Sequence, residues 1–319
     1  MNDRAALVAH ARQSIARGSK SFAAASRLFD QTTRERVWLL YAWCRACDDL
    51  ADAQDHGGDL GDQEGARERV AKIRDLTARA LSGEATGDPA FDALGQLMRE
   101  VPITHAMADD VIAGFDLDAS GFQPRCEADT LRYCYHVAGA VGVMMAAVMG
   151  IPADDEDTLD RACDLGMAFQ LANIARDISE DDAAGRCYLP VEWLAEADIP
   201  PGEVTKPHYR DALVPLVARL CDLAQGYEKS ARIGAARLPF RQRWAILSAA
   251  GIYGAIAHEV KARGAHAWDH RVYTSRTAKL GYVARALAQC MISPESAERP
   301  ALSRRELGKL AHASAQPPI

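Results

Sequence analysis

Apolar residues recur along most of this chain at intervals of three and four. Runs that alternate apolar with polar are nearly absent, so the pattern is one of helices rather than strands. It predicts helices over 3–25, 33–53, 64–82, 89–100, 104–117, 128–150, 155–181, 208–234, 239–263 and 276–290. Punctuation falls between them, at Asp88-Pro89, Val101-Pro102, Gln123-Pro124, Ile151-Pro152, Leu189-Pro190 and the Pro200-Pro201-Gly202 loop. Pro215 lies inside one predicted helix, which should therefore start late or kink there. The longest apolar run, residues 137–151, spans ~15 residues against the ~18–20 of a membrane span, and reads as a buried helix rich in small residues. Helical density is similar on both sides of the polar stretch 56–62, so no linker is visible there. The expectation is an all-α fold: one helical domain over 1–292 and a polar tail over 293–319, with 56–62 and the tail the most mobile segments.

Composition narrows the class. The 319 residues are 49 % apolar, enough for a sizeable core, and the net charge is −7, from 37 basic and 44 acidic residues. With no long basic run, sequence-independent nucleic-acid binding is excluded as a function. The N-terminal MNDRAALVAHARQS lacks the apolar core of a secretory signal, and the eight cysteines sit mostly within apolar helical patterns. Free thiols in a reducing cytosol are expected. Cys44 and Cys47 have metal or redox spacing, but no second such pair accompanies them, and core thiols explain them better.

Two stretches break their apolar helices with polar stripes. In YAWCRACDDLAD (41–52), Tyr41, Arg45, Asp48 and Asp52 share one face, with Asp49 at its edge, although carboxylates are unfavourable at a helix C-terminus. In QLANIARDISED (170–181), Gln170, Asn173, Asp177 and Asp181 repeat at three, four and four. Either stripe alone is as well explained by a solvated face. Together, each with an arginine nearby (Arg45, Arg176), they favour a site for a hard cation such as Mg²⁺, because every candidate ligand is an oxygen. Stripes facing each other across a bundle would leave such ions half-coordinated, and a diphosphate would complete the shell. A di-iron bundle would need Glu-x-x-His pairs, which are missing.

These two stretches, together with GSKSF (18–22), YCYHVAGAVG (133–142) and GRCYLP (185–190), closely resemble the motifs of bacterial phytoene synthases, in the same order and over nearly the whole chain. More loosely, the chain is similar to the squalene and dehydrosqualene synthases. The resemblance implies an isoprenoid synthase helical bundle with a central cavity. The implied prenyltransferase reaction of carotenoid biosynthesis condenses two geranylgeranyl diphosphates head to head, through prephytoene diphosphate, to phytoene. It would use Mg²⁺ or Mn²⁺ and no nicotinamide cofactor. Carried over by position, Asp48, Asp52, Asn173, Asp177 and Asp181 would bind metal, while Arg45, Gln170 and Arg176 would hold diphosphate. Ser19 and Ser21 would contact phosphate, and Phe22 would line the prenyl pocket with Tyr41 on the substrate side. Tyr253 and Arg271 would also approach diphosphate. Tyr133 is a candidate for the chemistry, as is Tyr135, whereas His136 stands where squalene synthases have a tyrosine. The small residues among 138–146 would wall the prenyl cavity, or else serve tight helix packing. Two alternatives remain: a C30 synthase acting on farnesyl diphosphate, and an assembly factor that keeps the bundle without the chemistry. Because a C40 hydrocarbon is insoluble, a cytoplasmic protein touching the inner face of the membrane without spanning it is expected.

Overall fold

Short polar side chains set where the helices begin. The computed structural model describes residues 3–54, 61, 64–292, 298–299 and 303–313, the side chains of 20, 21 and 310–313 excepted. Asp3 caps α1 (Arg4–Gly18), Ser19 caps α2 (Lys20–Ser26) and Asp30 caps α3 (Gln31–Ala51), each accepting a first-turn backbone N–H. After α4 (Ala66–Leu81), Asp88-Pro89 opens α5 (Pro89–Met98) and Thr104 caps α6 (His105–Ala119). The predicted helix 3–25 is therefore two helices, split where Ser19 takes an extended backbone. Residues 1–120 and 143–159 form one compact unit, in which α3 packs on α1, α4 and α5. Trp43 is fully buried there and satisfies its indole N–H on the Thr77 hydroxyl at 3.2 Å.

Next in the chain come α7 (Glu127–Cys134), a π-helical segment (Tyr135–Gly139), α8 (Ala140–Val148) and α9 (Glu156–Arg176). They are followed by α10 (Ile178–Ala183), α11 (Val191–Glu196), α12 (Arg210–Ala235), α13 (Phe240–Arg263), α14 (Arg276–Gln289) and α15 (Arg304–Ala313). Residues 121–142 and 160–319 make the second compact unit, where α13 packs on α12 and α14, and α15 on α7. The chain is all-α, with no strand among the described residues.

Residues 127–148 are helical throughout, long and apolar enough to cross a membrane by length and composition, yet 72 % of the apolar window is buried inside the protein. Glycines explain the small-residue content. A Cβ on Gly142 would sit 2.3 Å from the carbonyl oxygen of Ala162, and one on Gly166 would sit 2.1 Å from that of Ala138. Backbone thus meets backbone where this helix crosses α9, which only glycine permits. Of the two roles the sequence leaves open for these residues, Gly139 and Gly142 serve packing. Helix α12 starts at Arg210, ahead of Pro215 rather than late. Part of the stretch expected to be a polar tail is instead helical: α15 buries Leu307, and Arg299 ties the chain back to Asp160 and Asp164 at 2.8–3.1 Å. The segment 56–60 and Asp62, expected to be mobile, lie outside the described residues. All eight cysteines are free.

Candidate active site

The first acidic stripe occupies the last turn of α3. Arg69 on α4 donates to the Ala51 carbonyl at 3.1 Å and so answers part of the negative pole, but no basic residue stands in the turn itself. Arg45 lies 3.7 Å from Asp48 and 3.9 Å from Asp49, and Asp52 closes the helix by donating its N–H to the Asp48 carbonyl. Protein packed around the Asp48 carboxyl raises it, Arg45 opposes, and Asp52, Asp49 and Asp118 raise it again, to about 7. The side chain still keeps 42 % of its surface accessible, so an ion can reach it.

Behind the stripe, Arg45 donates to the Tyr41 hydroxyl at 3.4 Å and lies 5.8 Å from the centre of its ring. Phe22 sits against Tyr41 with ring centres 5.8 Å apart. A Cβ on Gly18 would stand 2.4 Å from the Tyr41 hydroxyl, so glycine there lets the α1–α2 junction close on the motif. The Ser19 hydroxyl oxygen accepts the Phe22 N–H at 3.2 Å: its first role is a helix cap, which leaves its proton to donate elsewhere. The Ser21 side chain lies outside the described residues.

The second stripe straddles a break. Helix α9 ends at Arg176 and α10 begins at Ile178, with Asp177 between them, against the expectation of one helix over 155–181. The spacing of the stripe survives because Asp177 N–H still donates to the Asn173 carbonyl and Asp181 N–H to the Asp177 carbonyl, both at 2.8 Å. Asn173 donates to the Gln170 side-chain oxygen at 3.4 Å. Asp177 is gripped by two guanidiniums: Arg176 binds both of its oxygens, and Arg271 does so at 3.0 Å each. Burial pushes the Asp177 carboxyl up, but the Arg176 and Arg271 hydrogen bonds outweigh it and hold the group below the usual carboxylate range. Arg271 is itself raised, first by its bonds to Asp177, then by Glu180 and Asp181 nearby.

The loop carrying Arg271 is pinned on both sides. Trp268 donates to the Ala175 carbonyl at 3.0 Å, and the Thr274 hydroxyl to the Ile252 carbonyl at 2.9 Å. Tyr253 stacks on Phe169, ring centres 4.4 Å apart, one residue before Gln170. Sequence reasoning missed Trp268 and Phe169; the only signal was an aromatic beside each motif. Tyr133 is buried between Tyr188 and Phe122, with ring centres at 4.3 and 6.0 Å. Tyr188 belongs to GRCYLP and had been given no role. Tyr135 and His136 lie in the π-helical segment, both buried, ring edge to ring face at 5.0 Å. Such segments are frequent at functional sites.

The structure thus gathers Ser19, Phe22, Tyr41, Arg45, Asp48, Asp49 and Asp52 in one group, and Gln170, Asn173, Arg176, Asp177, Asp181, Tyr253 and Arg271 in another. Among the described residues, no three His, Cys, Asp or Glu side chains form a site that would hold an ion alone.

Comparison with known proteins gives a consistent result. Residues 15–278 match the squalene/phytoene synthase family. The chain is 47 % identical to a phytoene synthase of Pseudescherichia vulneris, over 89 % of this chain and 92 % of that protein. It is 45 % identical to a 15-cis-phytoene synthase of Enterobacter agglomerans, over 86 % and 93 %. A crystal structure of a dehydrosqualene synthase with ligand superposes with a TM-score of 0.78 at 26 % identity, covering 89 % of this chain and 96 % of that one.

Proposed function

The chain belongs to the squalene/phytoene synthase family, and from that premise we propose that it is a prenyltransferase joining two geranylgeranyl diphosphates head to head, by way of prephytoene diphosphate, to phytoene. The observation that carries this reading is near-full-length likeness to bacterial phytoene synthases, together with two acidic motifs that each hold arginine. The C30 reading rests on the more distant likeness, 26 % against 45–47 %, and is not favoured.

The chemistry begins with loss of diphosphate from an allylic carbon, which separates a carbocation from a highly charged anion. Asp48 and Asp52 in the first motif, with Asn173, Asp177 and Asp181 in the second, would hold Mg²⁺ or Mn²⁺. The bound ion supplies the charge that neutralises the departing diphosphate. The first motif fits this role directly, since Asp48 lies beside three further carboxylates, Asp52, Asp49 and Asp118, and one arginine. In the second motif Asp177 already holds Arg271, whose side chain is 58 % exposed and can turn to a phosphate instead. Arg45 and Arg176 add fixed positive charge to hold diphosphate. Phe22 and Tyr41 offer ring faces beside the first motif, where a prenyl chain and a nearby cation are both stabilised. Tyr133 remains a candidate for proton handling. No nicotinamide is expected, because phytoene forms by proton loss and needs no hydride.

The test is product identity. Purified protein with Mg²⁺ and either geranylgeranyl or farnesyl diphosphate is extracted and the hydrocarbon identified by mass. Phytoene from the former is expected; a C30 hydrocarbon as the preferred product overturns the chain-length assignment, and no hydrocarbon from either overturns the reading.

A further inference from the structure

Helix α14 breaks the rule that an exposed helix face is polar. Its inner face packs on α13: Ala286 and Cys290 are buried, Tyr282 lies against Gly251, and Trp244 donates to the Val283 carbonyl at 2.9 Å. An adjoining exposed face carries Leu280, Ala284, Leu287 and Met291, spaced four, three and four, which is one continuous stripe. Leu280 is 71 % exposed, Leu287 41 % and Met291 80 %. Among the described residues, the exposed large apolar side chains all fall between 240 and 292, so this is a concentrated patch rather than the usual scatter.

Charge says what covers it. In a chain of net charge −7, the helix Arg276–Gln289 holds Arg276, Lys279 and Arg285 and no acidic residue. A second copy docked here by a two-fold axis would set these cations against their own counterparts. A surface that is apolar within and negatively charged at its face meets both features at once, and an apolar stripe flanked by cations is how a helix lies in a bilayer interface.

We propose that the outward face of α14 is the surface by which the protein docks on an anionic lipid bilayer. Leu280, Leu287 and Met291 enter the acyl boundary, and the exposed Arg276 and Arg285 lie at the headgroup phosphates. The inference rests on the phytoene reading for its purpose, since a C40 hydrocarbon must leave into lipid, but not for its geometry.

The experiment sediments the full chain with vesicles of phosphatidylglycerol and phosphatidylcholine in equal parts, and with phosphatidylcholine alone. Wild type should pellet with the anionic vesicles and far less with the neutral ones. Leu280→Glu with Leu287→Glu should weaken that binding by about tenfold or more, with melting temperature unchanged. Should that variant not fold, Arg276→Gln with Arg285→Gln replaces it, and is expected to reduce the preference for anionic vesicles. Wild type left in the supernatant, equal binding to both vesicles, or a folded variant that binds as wild type each overturns the proposal. So does a variant that loses a dimer while keeping its vesicle binding, which would give the face to a second copy. Turnover of detergent-dispersed geranylgeranyl diphosphate, measured alongside, should be equal in wild type and variant. Its absence in both counts against the phytoene reading and leaves the vesicle result standing.

Discussion

Single residues carry the first motif, and Gly18 shows how narrowly. A methyl group there would meet the Tyr41 hydroxyl at 2.4 Å, but that hydroxyl is the far end of a side chain and can swing aside. Gly18→Ala should therefore cost about 1 kcal/mol or less in stability, while displacing Tyr41 from Arg45 and lowering turnover. Urea unfolding and steady-state rates on the variant check this: a large stability loss with normal turnover contradicts it. At this scale much of the candidate site was legible in the sequence, because Asp48, Asp52, Asn173 and Asp177 stand out as acids and amides spaced by helical turns in apolar surroundings. The resemblance gave Arg271 only as a residue approaching diphosphate, and its grip on Asp177 was not legible, since 94 residues separate them and no local pattern links them. Ser19 was read as a phosphate contact, and its capping of α2 was hidden by the apparent continuity of helix 3–25.

At the scale of elements, the helices themselves were readable from periodicity, and their ends from Asp, Ser, Thr and Pro. The π-helical turn Tyr135–Gly139 was not, because it runs straight into the apolar stretch 140–148, where there is no polar phase to show a shift. The break at Asp177 was equally hidden, because the backbone bonds on either side preserve the four-residue spacing. Close helix crossing makes a sharp prediction. Gly142→Ala would place a methyl 2.3 Å from a backbone carbonyl, which cannot swing aside, so it should destabilise by about 1–3 kcal/mol or more. A melting temperature equal to wild type would contradict this crossing. A charged cluster joins α1, α3 and the end of α5. Burial opposes ionisation of Glu100, but bonds from Arg4, Gln96 and Arg36 bring it down to about 2. With its folded value below its unfolded one, Glu100 contributes stability above about pH 4.5 that is lost as pH falls towards 2, roughly 3 kcal/mol at most. The stability gap between wild type and Glu100→Gln should accordingly narrow below pH 4.5 in urea titrations; a gap that stays constant to pH 3 would sink the assignment.

For the whole molecule, all-α class and family were plain from the sequence, whereas the fate of the C-terminal stretch was not, because its polar composition conceals a tether. Arg299 bonds both oxygens of Asp164, whose side chain is 1 % exposed, and reaches Asp160 at 2.8 Å. Removing that guanidinium leaves a buried carboxylate that still accepts from the Ser230 hydroxyl but has lost its countercharge, so Arg299→Ala should cost about 3–5 kcal/mol. An unchanged midpoint in denaturant would show that the stretch is dispensable. The central claim, however, is that both acidic motifs handle diphosphate through a divalent ion, and it is tested most directly by hydrocarbon yield from geranylgeranyl diphosphate in Asp48→Asn and Asp177→Asn, with Mg²⁺ and after chelation. Asp48→Asn removes repulsion among neighbouring carboxylates and should keep or raise the melting temperature, and Asp177→Asn should stay folded. Both should lose yield by orders of magnitude, each ~1.4 kcal/mol of lost transition-state stabilisation costing a factor of ten, and wild type should fall silent on chelation. Folded variants that make phytoene at the wild-type rate, or a wild type indifferent to chelation, would contradict the account.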